Sequence, residues 1–222
     1  MRISISLLAG AAILLIAGSA EAAKYDAAQQ FSAASNVGSM QWTYRYNTTG
    51  TRNGVYTLLP DMTSDTRWTT TTNGKKKHIT VPFWDGGDFP SLSGNPTTLK
   101  RTANFGFGKV NWPGDTIYMH PAATGDVVLS FIAPKSGTIV INYAFSDIDP
   151  YGGNGVHWYI DKNAGTQGDL ASGTLSAPAN PATGPVQMTV NVTKHDRINF
   201  IIDANGDNSF DSTTIKAIIA YQ

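Results

Sequence analysis

The residues best spaced for chemistry lie close to the C-terminus, in the segment Asp203–Asp211. The metal ligands predicted in it are Asp203, Asn205, Asp207, Ser209 and Asp211. Four of them carry side-chain oxygens at positions 1, 3, 5 and 9 of the segment, the spacing with which a tight loop surrounds a hard cation such as Ca²⁺, and the serine could add a backbone carbonyl. Position 12 is Thr214, where a bidentate acidic group would complete such a loop. The segment therefore predicts a Ca²⁺ site, and the alternative is a turn whose Asp and Asn side chains bond to their own backbone.

A second acidic segment, Asp147–Pro150, precedes a glycine-rich stretch. Asp147 and Asp149 are two residues apart, so they share a face if the segment is extended. Two carboxyl groups separated by roughly 5 to 9 Å can hydrolyse a glycosidic bond, but sequence spacing does not establish that distance. We favour a solvated turn or a share in the metal site over hydrolysis.

Aromatic side chains are the remaining candidates for binding. A sugar binds by laying the C–H face of its ring on an exposed aromatic ring, while polar neighbours take its hydroxyl groups. Trp68, Trp84 and Trp112 adjoin polar loops, whereas Trp42 and Trp158 are assigned to the core. The predicted ligand-binding residues are Trp68, Trp84, Asp85, Trp112 and His157.

Two further features bear on these candidates. His157 precedes Trp158 on a predicted strand, so the imidazole points to the face opposite the core. Asp85–Pro96 is a long turn-forming segment of the kind that often carries function.

Catalytic constellations are not evident in the sequence. No two histidines have the spacing of a zinc site, and no Gly-X-Ser-X-Gly turn presents a nucleophilic serine. We therefore predict that the chain is not an enzyme.

The elements that must position these residues are β-strands. Between Asp126 and Asp161 apolar residues alternate along two strands joined by a Pro-Lys-Ser-Gly turn, and a third strand follows a glycine-rich break. Alternation recurs in Met40–Tyr46 and Val186–Val192, and no segment longer than about two turns has helical periodicity. The sequence predicts an all-β fold, specifically an antiparallel two-sheet β-sandwich of the jelly-roll type.

The N-terminus has the features of a secretory signal peptide. A basic start is followed by the apolar run Leu7–Ala17 and by small residues at Ala20 and Ala22, where cleavage is expected. The predicted division is a signal peptide at 1–22, an N-terminal arm at 23–39 and a single sandwich domain at 40–222. No later stretch approaches the roughly 18 to 20 apolar residues of a membrane span. We expect a secreted protein, extracellular or periplasmic, without a transmembrane segment in the mature chain.

Composition narrows the choice of partner. The chain has no cysteine, so packing and a metal ion, not disulfides, would stabilise it outside the cell. Its 16 basic and 16 acidic residues balance, and a neutral surface has no general attraction for the phosphates of nucleic acids. A neutral partner, such as a glycan or another extracellular polymer, fits this composition best.

Several short motifs occur in the order seen in a known family. They are Tyr118-X-His120-Pro121, Ala133-Pro-Lys-Ser-Gly-Thr138, the strand Val156–Ile160 and the closing segment 203–213. On these motifs the region 39–222 resembles a β-sandwich domain of secreted bacterial proteins, often those with PEP-CTERM sorting tails, and it is similar to jelly-roll carbohydrate-binding modules. The chain ends without the Pro-Glu-Pro sequence of such a tail, so no sorting tail is expected. The resemblance implies a role in binding or in an extracellular matrix and transfers no catalytic residues.

Two functions of different classes follow from these observations. The first is a secreted, non-catalytic module that binds a glycan or another neutral extracellular polymer through loop aromatics, with a structural Ca²⁺. The alternative is a surface, matrix or filament subunit that self-assembles when its arm adds as a strand to a neighbouring sheet.

Overall fold

The computed structural model describes residues 23–50, 52, 55–87, 89–149, 152–166, 168–176 and 182–222. The predicted signal peptide lies outside these residues and stays a prediction. The described residues form eighteen β-strands joined by turns and contain no helix. Accordingly, no helix among them is long and apolar enough to cross a membrane. The prediction of an all-β fold is confirmed.

The strands in chain order are β1 (Lys24–Asp26), β2 (Trp42–Tyr46), β3 (Thr57–Leu58), β4 (Asp61–Asp65), β5 (Trp68–Thr72), β6 (Lys75–His78), β7 (Val81–Asp85), β8 (Ser91–Asn95), β9 (Arg101–Asn104), β10 (Lys109–Trp112), β11 (Thr116–His120), β12 (Val127–Ile132), β13 (Gly137–Asp147), β14 (Val156–Lys162), β15 (Asp169–Leu175), β16 (Val186–Val192), β17 (Arg197–Asp203) and β18 (Thr213–Tyr221).

These strands form three sheets, which we call central, second and third. The central sheet has the order β16-β13-β18-β11-β8-β7-β4, with β1 also paired to β18. The second sheet has the order β15-β14-β17-β12-β2-β3, and the third has the order β10-β9-β5-β6. The strand pairs are antiparallel. The antiparallel sandwich is confirmed, and the third sheet is an addition that the sequence did not predict.

The main core lies between the central and second sheets, and it follows from residue alternation. Every second residue of β13 from Ile139 to Phe145 is buried, while the intervening residues are half-exposed. Aromatic rings fill the space between the sheets. For example, Phe145 of the central sheet stacks on Trp158 of the second sheet, with 5.0 Å between the ring centroids. Trp42 packs beside Phe131 at 5.2 Å. The assignment of Trp42 and Trp158 to the core is confirmed, since they are 1% and 8% exposed.

The third sheet covers the opposite face of the central sheet. Adjacent residues of β7 show this arrangement, because Trp84 belongs to the main core whereas Phe83 packs with residues of the third sheet. The rings of Trp68 and Trp112, from β5 and β10, meet at 5.4 Å edge to face, and Tyr118 of the central sheet lies 5.6 Å from Trp112. Part of the central sheet is therefore buried on both faces, giving three layers.

This burial corrects the predicted ligand platform. Trp68 and Trp112 are 0% exposed, and Trp84 is 8% exposed with its indole N–H donated to the carbonyl of Ser32 at 2.8 Å. A ring with no free face cannot stack on a sugar, so these tryptophans do not form the exposed surface that the prediction requires. They adjoin polar loops in sequence because their strands are short. Trp68 and Trp112 belong to the third sheet and are buried where that sheet packs on the central one.

The segment Asp85–Pro96 is not one long loop. Leu92 is fully buried in the main core, and the strand around it, β8, pairs with β7 and β11. Among the described residues of this segment, only 86, 87, 89, 90 and 96 lie outside strands, and the Gly86 amide donates a hydrogen bond to the Pro90 carbonyl.

The N-terminal arm lies against its own chain. β1 pairs with β18 from Lys24↔Ala220 to Asp26↔Ile218, and Asn36 joins the arm to strand β2. The predicted extended arm therefore occupies a strand position within the molecule. Adding it to a neighbouring sheet would first require breaking these bonds, and self-assembly stays a prediction.

We predict that Asn36→Ala destabilises the fold. Its side-chain amide donates to the carbonyls of Tyr44 and Leu59 at 2.8 and 3.0 Å, and its carbonyl oxygen accepts from the Tyr44 amide at 2.9 Å. The Tyr44 carbonyl keeps the Leu59 amide as a donor, but the Tyr44 amide and the Leu59 carbonyl lose Asn36 as their partner. The free energy of unfolding should therefore fall by about 2 to 4 kcal/mol, which urea denaturation measures. The neighbouring control Val37→Ala removes a half-exposed side chain and should change it by less than about 0.5 kcal/mol.

We also predict that Trp112→Ala acts on stability. Removing a fully buried tryptophan ring should cost about 3 to 5 kcal/mol of unfolding free energy, measured by thermal or urea unfolding. Phe107→Ala is the matched control, because that ring is 47% exposed and its loss should cost far less. Equal stability of the Trp112→Ala variant and the parent would contradict the three-layer packing.

Candidate functional site

A cleft of about 1010 Å³ lies at one end of the central sheet. One wall comes from the third sheet and its loops, with Arg67, Phe105 and Phe107. The β7–β8 connection also lines the cleft with Phe89, and the loop before β18 lines it with Phe210. This volume lies at the upper end of the range of small-molecule sites in proteins.

Aromatic rings at the rim of the cleft are exposed. Phe89 is 62% exposed and Phe107 is 47% exposed. Phe107 stacks beside Phe105 at 5.8 Å with 12° between the ring planes, and Phe210 meets Phe107 edge to face at 4.8 Å. Phe105, Phe107 and Phe210 therefore form a connected group of rings, and Phe89 is a separate exposed ring of the same cleft.

Two of these phenylalanines have unusual backbone conformations. Phe89 has φ of 80° and Phe210 has φ of 63°, in the left-handed region that large side chains rarely adopt. Such residues cost of order 1 to 3 kcal/mol, and they concentrate at functional sites. Both lie at the rim, where this conformation directs the chain around the cleft.

Polar groups line the floor of the cleft. The Asp149 carboxylate accepts the Ser212 amide at 2.6 Å, and the Ser212 hydroxyl shares a hydrogen bond of 2.9 Å with the Tyr118 hydroxyl. His120 donates its Nδ1–H to the Pro121 carbonyl at 2.9 Å, and burial lowers its pKa. The imidazole is therefore neutral near pH 7, with Nε2 as an acceptor, and its ring lies 5.3 Å from Phe89.

An ion pair sits at the cleft wall. Arg67 pairs with Asp65 at 2.6 Å and lies over the Phe105 ring at 4.3 Å. Burial acts to raise the pKa of Asp65, but hydrogen bonds from Arg67 and its charge outweigh that effect and lower it. Both charges are therefore already paired within the protein.

The predicted metal loop forms local turns. The carboxylate of Asp203 accepts the Asn205 amide at 2.8 Å, and that of Asp207 accepts the Ser209 amide at 3.0 Å. These are the backbone-bonded turns that the sequence offered as the alternative. Nowhere in the described ranges do three or more His, Asp or Glu side chains converge as a preformed metal centre. The Ca²⁺ prediction itself stays a prediction.

Asp211 differs from the rest of that loop. It is 1% exposed, and neither carboxylate oxygen has a hydrogen-bond partner among the described residues. Burial, followed by the charge of Asp147 and then those of Asp207, Asp149 and Asp203, raises the pKa of Asp211 to about 8. The pKa of Asp147 is raised to about 6, chiefly by burial.

The structure separates the predicted ligand-binding residues. Asp85 lies at the cleft with its carboxylate accepting the Gly87 amide, and Ser209, predicted as a metal ligand, also lines the cleft. Trp68 contributes to the base of the cleft as a buried residue. His157 is on the second sheet, 4.0 Å from the carboxylate of Asp203, and it does not line the cleft.

The rim phenylalanines were missed by the sequence analysis. A detectable signal existed in Asn104-Phe-Gly-Phe-Gly108, where rings alternate with glycines in a turn, because a turn cannot bury both. Phe89 also lies in the segment that was predicted to be functional. The sequence drew attention to Asp149 as part of an acidic pair and to His120 as part of a motif, but only the pairing of β11, β13 and β18 brings their segments together.

Neither a family model nor a curated protein matches this sequence. Among solved structures, the chain is similar to the C-terminal CBM6 of the laminarinase LamC from Zobellia galactanivorans, at 19% identity and TM-score 0.29, over 55% of this chain and 88% of that one. It is also similar to CBM51 of Clostridium perfringens GH95 in complex with methyl-galactose, at 10% identity and TM-score 0.37, over 60% of this chain and 88% of that one.

A third similar structure contains CBM51-2 with GlcNAc and the INT domains of Clostridium perfringens ZmpB, at 10% identity and TM-score 0.40, over 82% of this chain and 40% of that one. The three similar structures are β-sandwich carbohydrate-binding modules or contain one. At these identities and TM-scores the similarity assigns neither a family nor a ligand to this chain. The resemblance to the domain of PEP-CTERM-tailed proteins stays a prediction.

Proposed function

We propose that this protein is a secreted, non-catalytic module that binds a glycan or another neutral extracellular polymer in the cleft. The observation that carries the proposal is the pair of exposed rings, Phe89 and Phe107, that line a cleft with a polar floor. Secretion rests on the predicted signal peptide at 1–22.

The exposed rings favour a ligand with apolar faces. Large apolar side chains left open to water in one cleft mark interaction sites more often than isolated exposed ones do. The open faces of Phe89 and Phe107 suit the C–H face of a sugar ring, and the near-parallel Phe105 extends the same surface. The strained backbone of Phe89 is consistent with a residue placed for binding and not for packing.

The polar groups favour a neutral ligand that carries hydroxyls. Asp85, Ser91 and Ser209 lie around the cleft and can exchange hydrogen bonds with hydroxyl groups. Arg67 is already held by Asp65 and by the Phe105 ring, so it is not a free charge for an anionic ligand. A ring with apolar faces and hydroxylated edges matches both parts of the cleft.

We predict that Phe107→Ala lowers affinity for a neutral polysaccharide roughly two- to twelvefold, because one stacked ring contributes on the order of 0.5 to 1.5 kcal/mol. The measurement is affinity electrophoresis followed by calorimetry with soluble β-glucan, xylan, galactomannan and dextran. Phe89→Ala should act in the same direction. The melting temperature of each variant should stay within about 2 °C of the parent, since both rings are at the surface.

Leu99→Ala is the control, because Leu99 is 40% exposed but does not line the cleft. Its affinity should equal that of the parent. Binding that survives both phenylalanine substitutions would place the ligand elsewhere, and the absence of binding to all four polysaccharides would contradict the glycan proposal in this form.

A further inference from the structure

Three aspartates lie where β13 ends and β18 begins. Asp147 is paired with Thr213 at the end of the ladder between these strands. The pairing continues past it, since the Ile148 amide donates to the Ser212 carbonyl at 2.9 Å. The same register then places Asp149 opposite Asp211. Asp149 is two residues beyond Asp147, so both lie on the same face of the extended chain. Antiparallel residues that face each other have Cβ atoms roughly 4.5 to 5.5 Å apart, where like charges repel.

These carboxyl groups are removed from water. Asp147, Asp149 and Asp211 are 4%, 3% and 1% exposed. One oxygen of Asp149 and both oxygens of Asp211 are buried without a hydrogen-bond partner among the described residues. A buried carboxylate with no donor costs several kcal/mol, so such groups are normally paired, protonated or bound to a metal ion.

The other buried aspartates show that this arrangement is unusual within the molecule. Asp126 accepts a hydrogen bond from the Asn47 side-chain amide at 2.7 Å, and Asp161 accepts one from Asn199 at 2.7 Å. Each keeps one unpartnered oxygen, but each has a neutral donor on the other. Asp211 has none on either.

We propose that Asp147, Asp149 and Asp211 bind a divalent cation, with Ca²⁺ the best fit. Ca²⁺ prefers oxygen ligands, accepts six to eight of them and tolerates irregular geometry, so water and backbone carbonyls can complete the shell. Both oxygens of Asp211 are free to serve. The ion would compensate the repulsion that keeps the three carboxyls from forming a ready-made centre in its absence.

This site differs from the one predicted from the spacing in Asp203–Asp211. The carboxylates of Asp203 and Asp207 accept hydrogen bonds from the amides of Asn205 and Ser209, and Asp207 is exposed. Only Asp211 is common to both sites. The other ligands come from a strand some sixty residues earlier in the chain, so no single loop contains the site.

The ion would also hold one side of the cleft. Asp211 directly follows Phe210, and the Ser212 amide is bound by Asp149. A cation between these segments would tie the loop that carries Phe210 to the end of β13. The cation site itself does not depend on the glycan proposal, because its test contains no glycan.

The test is calorimetric titration and thermal unfolding of the chelator-treated mature chain with CaCl₂ and, separately, MgCl₂. We expect one Ca²⁺ per chain and, at a hundredfold excess over Kd, a melting temperature higher by about 5 to 10 °C. Asp211→Asn and Asp149→Asn should each weaken Ca²⁺ binding at least tenfold. Asp207→Asn removes a nearby charge but no proposed ligand, so it should weaken Ca²⁺ binding much less than either ligand variant does.

The reverse pattern would overturn the proposal. Loss of Ca²⁺ binding in Asp207→Asn with binding retained in Asp211→Asn would identify the contiguous loop as the site. No Ca²⁺ or Mg²⁺ binding by the parent, together with an Asp211→Asn variant at least as stable, would show that Asp211 is a buried protonated acid. Should Asp211→Asn fail to fold, the parent titration and the Asp149→Asn variant decide the question.

Discussion

Strand β18 is the constraint on which the central sheet depends. It pairs with β13 along one side and with both β11 and β1 along the other. Alternate residues such as Ile215 and Ile219 enter the main core, so the last strand of the chain also carries part of the packing between the sheets. Because β18 is central, the fold requires nearly the whole chain before its largest sheet can close, and its pairings span large sequence separations. The same strand positions Asp211 and the arm at its two ends.

Local pattern predicted the parts of the fold where one face of a strand is buried. β13 and β16 alternate clearly, and they lie where the sequence placed strands. The third sheet escaped prediction because no local pattern shows that β5, β6, β9 and β10 pair with one another. β6 reads Lys-Lys-Lys-His and is exposed throughout, while β5 is mostly threonine. Such strands form because β9 pairs with β5 and because their few large rings pack on the central sheet. These contacts join residues that are far apart in sequence, so no local pattern contains them.

The candidate site shows the same division between local and non-local information. Spacing within Asp203–Asp211 drew attention to an acidic loop, but spacing cannot show which of its carboxylates accept hydrogen bonds from backbone amides. The hydrogen bonds of Asp203 and Asp207 decide that question. What makes Asp211 different is its register against β13, which no local pattern contains. Likewise, tryptophans beside turns suggested exposure, whereas the sheet that contains and buries Trp68 and Trp112 comes from two separate hairpins, β5–β6 and β9–β10.

The pairing of β1 with β18 also determines where the two ends of the described chain lie. The Tyr221 amide donates to the carbonyl of Ala23 at 3.4 Å, so the ends are neighbours. They sit at one end of β18, while Ser212 and the cleft lie at the other, about 27 Å away for nine antiparallel residues. A short linker could therefore join residues 23 and 222 in a circular permutant without disturbing the cleft. A tag or immobilising support attached at either end would likewise leave the cleft facing outward and open to large polymers.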